Sequence, residues 1–159
     1  MTAGPATGTV VRPAQLCTFR VDDLWLGVDV LDVQEVIRHQ PTTAVPLAPD
    51  VVEGLVNLRG EIVMALEMRT RLALPTRDGG ELPSNVVIRS RDEHAAVSLL
   101  VDEVGDVMDV DDLDFEPAPE TLSGPAADIV LGAYPCPNRL LLLLDVQRTI
   151  GLLNGGSRS

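Results

Sequence analysis

Short runs of alternating apolar and polar residues, separated by tight polar or Gly- and Pro-bearing breaks, recur along most of this 159-residue chain. A period of two is the mark of strands, whose successive side chains point to opposite faces. Leu16 to Val21 reads as a first strand, with Leu16, Thr18 and Arg20 on one face and Cys17, Phe19 and Val21 on the other. Asp22-Asp23 fits a two-residue turn, and Leu24 to Val28 returns with Trp25 as a packing residue. Asp29 is then the N-cap of a short helix to Ile37, in which Val30, Val33 and Ile37 share a face and Glu35 falls outside it. Pro41, Pro46 and Pro49 keep the next segment extended.

Two apolar runs flank Asn57-Leu58-Arg59-Gly60, so Gly54 to Leu66 is expected as a hairpin; Gly60 supplies positive φ and Asn57 tolerates it. Glu67 to Leu74 predicts one or two helical turns ended by Pro75, and Thr76 to Ser84 a loop. Strands follow at Asn85 to Arg89, Ala95 to Val101 and Val104 to Val110, with a polar turn from Ser90 to His94. Asp111 to Ala126, acidic and proline-bearing, reads as a long loop or surface arm. Ile129 to Tyr134 and Leu140 to Leu144 form a last hairpin across Pro135-Cys136-Pro137-Asn138, and Asp145 caps a short helix from Val146 to Leu153. Many short strands and only scraps of helix predict an all-β chain, an antiparallel barrel or sandwich; nine or ten strands fit two small barrels as well as one large one.

Composition narrows the function. The net charge is −12, from 24 acidic and 12 basic residues, every basic one an arginine. Nucleic acid and anionic membrane surfaces both demand a basic face, so neither is an expected partner. The longest unbroken aliphatic run, Leu140 to Leu144, is far short of the roughly 20 residues of a membrane span. Cys17 and Cys136 are far apart, in no metal-ligand spacing, and no secretory apolar stretch follows Met1; a soluble cytoplasmic protein with free thiols is expected.

Catalytic chemistry is hard to find. His39 and His94 lie in loop segments, and no Gly-rich strand-to-helix loop is present to cradle phosphate. Asp102, Glu103, Asp106, Asp109, Asp111, Asp112 and Asp114 form an acid-rich stretch that lacks the Gly and closing Glu of a calcium loop; it reads as a solvated face, with a divalent-metal site as the minor alternative. The expectation is a binding module without catalytic residues, metal or cofactor. Arg59 is the conspicuous residue: an arginine in the most apolar hairpin of the first half either is a solvated turn residue or presents a rigid donor fork to a partner.

Several motifs in order carry a resemblance. They are Cys17-Thr18-Phe19-Arg20-Val21, Gly27-Val28-Asp29-Val30, Val33-Gln34-Glu35-Val36, Gly54 to Gly60 with its Asn-Leu-Arg-Gly turn, Leu100-Val101-Asp102, Val104-Gly105-Asp106-Val107, Gly132 and Leu140 to Asp145. From about Leu16 to Leu153 the chain resembles the CheW family of bacterial chemotaxis adaptors. The resemblance implies two interlocked five-stranded SH3-like β barrels with a hydrophobic interface and a few short helices. It implies one domain over residues 15–153, with flexible tails at 1–14 and 154–159. It also implies a non-enzymatic cytoplasmic scaffold, recruited to membrane-associated arrays, that joins the cytoplasmic tips of methyl-accepting chemoreceptors to the regulatory domain of the histidine kinase CheA. A CheW-like adaptor of a surface-motility or developmental kinase system is the alternative. The positions that match receptor- or kinase-coupling sites are Val33, Glu35, Gly54, Leu58, Arg59, Val104, Val107 and Gly132, with no catalytic or metal residue among them. One departure stands out: after Ile62-Val63 the family continues with a proline and an aliphatic-Asp-Leu-Arg run, where this chain has Met64-Ala65-Leu66-Glu67-Met68-Arg69.

Overall fold

A computed structural model describes residues 12–89 and 96–155, with side chains as far as Gly151. Among these residues, ten strands form two five-stranded sheets. The first has the order β8-β1-β2-β10-β9, built from β1 (Gln15–Val21), β2 (Leu24–Asp29), β8 (Glu103–Asp109), β9 (Val130–Pro135) and β10 (Leu140–Leu144). The second has the order β3-β6-β7-β5-β4, built from β3 (Val33–Ile37), β4 (Val52–Leu58), β5 (Glu61–Glu67), β6 (Ser84–Arg89) and β7 (Ala96–Val101). The chain therefore starts in the first sheet, builds the second without interruption, and returns to finish the first. This interlocking is the one the resemblance implies, although neither sheet closes fully into a barrel.

Alternation explains the cores. Along β1, Cys17, Phe19 and Val21 enter one cluster while Leu16 enters another; along β10, Leu142 and Leu144 enter the first and Leu141 and Leu143 the second. In the other sheet Val86, Ile88, Val97, Leu99 and Val101 join the first cluster, whereas Val87 and Leu100 turn to a third with Val56, Leu58, Val63 and Ala65. The largest cluster thus lies between the sheets, and each sheet curls around a small core of its own. Strands buried on both faces read as unbroken apolar runs, which is why β10 is five consecutive leucines.

Among the described residues three short helices complete the fold: α1 (Met68–Arg71), α2 (Gly124–Ile129) and α3 (Val146–Gly155). Glu67 caps α1 by accepting from the Arg69 amide, and Asp145 caps α3 by accepting from the Arg148 amide at 3.1 Å. Arg71 of α1 donates to the carbonyls of Thr149 and Arg148, fastening α3 to the second sheet.

Four expectations change. The helix expected from Asp29 to Ile37 is a single 3-10 turn, Val30–Asp32, followed by β3; Asp29 caps it by accepting from the Leu31 amide, but β3 finds a partner in β6 and pairing overrides the helical spacing. Glu35 consequently alternates with exposed Gln34 and Val36 and is itself half-buried, rather than outside an apolar helix face. The sheets are mixed, because β10 runs parallel to β2 and β5 parallel to β7. The segment after Asp111 is no detached arm: the Phe115 ring packs tilted against that of Tyr134 with centroids 5.1 Å apart, Glu116 bridges to Ala133, and Gly124–Ile129 is helical before β9 begins. The Ser90 to His94 turn and the ends of both tails lie outside the described residues.

Candidate interaction surface

The β4–β5 hairpin turns through Arg59 and Gly60 alone, since Leu58 pairs with Glu61. Both turn residues have positive φ, 55° at Arg59 and 88° at Gly60, the signature of the primed turns that match strand twist. The Asn57 side-chain oxygen accepts from the Gly60 amide at 2.9 Å and holds the corner. The Arg59 side chain is 78% exposed, and its Nη1 lies 2.9 Å from Glu35 Oε1.

Glu35 and Arg59 belong to opposite ends of the second sheet, so their contact measures how far the sheet curls. Around them Arg89 of β6 donates to the Gln34 side chain at 2.9 Å and reaches Glu61 at 3.6 Å. The result is one polar band of Gln34, Glu35, Arg59, Glu61 and Arg89 across the rim of the sheet. Glu35, itself only 22% exposed, fixes the direction of Arg59 and so lowers the entropy an arginine loses when it meets a partner.

The other predicted positions fall into three groups. Leu58 is 5% exposed and packs with Val56, Val63 and Val87, so its side chain anchors the turn from inside and is not a surface contact. Gly54 and Gly132 are required by close approach: a Cβ at Gly54 would fall against the Thr43 carbonyl, and one at Gly132 against the Phe115 ring and the Glu116 carbonyl. Val33 and Val104 are half-buried against the core between the sheets, on β3 and β8. Val107 is 54% exposed on β8, an outer strand of the first sheet. Of the eight residues, Glu35 and Arg59 are brought together as an ion pair on the surface.

The acidic stretch divides differently from expectation. Asp102 is not solvated: its side chain is 3% exposed, and Arg69, Arg77, Arg20 and the Asp22 amide converge on it. Arg77 also grips Glu67 with both terminal nitrogens, at 2.6 and 3.0 Å. Burial alone would push the Asp102 carboxyl up, but the bonds from Arg69, the Asp22 amide and Arg77 outweigh it and hold the group at about 2. The same contact with Asp102 raises the Arg69 guanidinium. Asp106, Asp109, Asp111, Asp112 and Asp114 are spread along β8 and the following loop, and no group of three metal-binding side chains gathers among the described residues. A signal for the network existed: Arg69 stands between Met68 and Leu72, both buried, and an arginine there needs an acidic partner.

Other features stay structural. Trp25 packs beside the first sheet's own core with Arg139 3.8 Å over its ring. Cys17 is buried, Cys136 half-buried, and both are free. An open cavity of about 620 Å³ lies between β2, β9 and the start of α3, lined by Leu131, Leu144, Val146, Phe115 and Arg148 among others, and none of the eight predicted residues faces it.

Comparison with known proteins agrees with this architecture. The family model described as the CheW-like domain matches residues 15–153. The chemotaxis protein CheW of Rhizobium meliloti is 30% identical over 133 residues, 84% of each chain. That of Klebsiella aerogenes is 31% identical over 78% of this chain and 74% of its own. The crystal structure of the scaffolding protein TtCheW from Thermoanaerobacter tengcongensis superposes with a TM-score of 0.71 at 24% identity, covering 84% of this chain and 90% of that one, and supports the fold.

Proposed function

The chain belongs to the CheW-like domain family, and from that premise we propose that it is a non-enzymatic chemotaxis adaptor coupling transmembrane chemoreceptors to a CheA-type histidine kinase. The observation that carries the reading is the Arg59 turn. A charged residue is held in a left-handed backbone conformation at the end of two half-buried strands, aimed by Glu35 and otherwise exposed. Strained, pre-aimed polar groups on a rigid scaffold belong to recognition surfaces.

In this reading the rim of Gln34, Glu35, Arg59, Glu61 and Arg89 is a partner face, and Val107 with half-buried Val104 marks a second one on β8. Val33, Gly54, Leu58 and Gly132 act from beneath by shaping the backbone and the core. The place of work is the cytoplasm, at receptor arrays; no helix among the described residues is long and apolar enough to cross a membrane.

The test is a calorimetric titration of the purified protein with the isolated regulatory domain of a CheA from the same cell. Saturable one-to-one binding is expected. A folded protein that shows no heat of binding at high micromolar concentration would move the function to another kinase system. With kinase binding in hand, Arg59→Ala is expected to weaken receptor binding about tenfold or more, the range of an anchoring interface arginine, with the melt still cooperative.

A further inference from the structure

The chain passes between the two sheets twice. The first passage, from β2 to β3, takes the 3-10 turn Val30–Asp32; the second, from β7 to β8, is one residue, Asp102. Its amide donates to the Arg20 carbonyl of the first sheet at 2.9 Å. Its two carboxylate oxygens divide their work. Among the described residues, Oδ1 accepts from the second sheet's side alone: Arg69 Nε at 3.0 Å and Arg77 Nη2 at 2.9 Å. Oδ2 joins Arg69 Nη2 at 2.6 Å to two groups of the first sheet, the Asp22 amide at 2.8 Å and Arg20 Nη1 at 3.4 Å. Arg69 and Arg77 are tied in turn to the loop after α1, Arg69 through the Pro75 carbonyl at 3.0 Å and Arg77 beside it in sequence.

The apolar core between the sheets supplies most of their attraction, but burial is non-directional and tolerates small rotations of one face on another. Charge-assisted hydrogen bonds in a dry site are directional. A hinge of one residue, with bonds from both sides meeting on one carboxylate, is where angular restraint is most effective.

We propose that Asp102 is a positioning residue: it pins the second crossing and sets the angle between the two sheets, and so the placement of the Arg59 rim relative to the Val107 face. Its functional consequence rests on the adaptor reading; the geometric claim does not. A partner that touches both faces binds only the pinned arrangement, and its apparent affinity falls with the fraction of molecules that keep it.

Asp102→Asn tests this, because the amide keeps one acceptor and loses the other, so it cannot serve both sheets. Backbone residual dipolar couplings would be measured for the wild-type chain and the variant without any partner. One alignment tensor is expected to fit both sheets of the wild type, and two differently oriented tensors to be needed in the variant. Should Asp102→Asn not fold, Arg77→Gln, which leaves Arg69 on both oxygens, is expected to show a smaller split of the same kind. A single tensor in the folded variant, with only a lower Tm, would reduce Asp102 to a stabilising role and overturn the proposal. Where the split is seen, kinase-domain affinity is expected to fall about tenfold although Arg59 is untouched; unchanged affinity would sink the functional half. Wild-type protein that binds no kinase domain would overturn the adaptor reading alone, since the couplings are read without a partner.

Discussion

At residue scale, Arg59 sits where an arginine is a poor choice for stability. A left-handed conformation costs an ordinary L-residue about 1–2 kcal/mol, whereas an exposed ion pair such as that with Glu35 returns about 0–1 kcal/mol. Asn followed by Gly is the favoured pair for this turn. Arg59→Asn is therefore expected to raise unfolding free energy by about 0.5–1 kcal/mol in urea titration, while removing the donor fork from the rim. A loss of stability instead would make the Glu35 pair a structural strut. Sequence singled out Arg59 and its turn because both depend on neighbours a few residues away. It did not reveal that Glu35, 24 positions earlier, aims it, because that contact exists only once the sheet has curled.

At the scale of elements, alternation made most strands readable, and where it failed the cause is identifiable. Val30, Val33 and Ile37 have helical spacing, yet β3 pairs with β6 from Val33 to Ile37, and cross-strand bonding outweighs a weak local preference. In β10 the pattern has no period because both faces are buried. Leu141→Ala and Leu142→Ala point into different cores and are each expected to cost about 2–5 kcal/mol in chemical denaturation. A strand with one solvated face would show one large loss and one small one.

At the scale of the molecule, the acid limb of stability reports on the Asp102 network. Its folded carboxyl lies at about 2, below its ordinary value of 3.8, so its contribution is complete above about pH 4 and is lost as pH falls through 2. The shift corresponds to about 2 kcal/mol. Urea titrations of the wild type and Asp102→Asn are expected to differ most above pH 4, with the gap closing by about that amount towards pH 2. A gap that does not change with pH would mean that the carboxylate's charge plays no part in it.

The sequence by itself determined the strand-rich fold class, the positions of nearly all ten strands, the Arg59–Gly60 turn, both flanking caps at Asp29 and Asp145, and the family resemblance. These depend on local rules: side-chain period, turn chemistry, capping and short motifs. Tertiary structure alone decided the parallel pairs β2–β10 and β5–β7, the strand at Val33–Ile37, the Glu35–Arg59 pair and the burial of Asp102 against Arg69 and Arg77. Each of these joins residues far apart in the chain, and a charge reads as solvated in sequence until the fold removes its water and supplies its counterion.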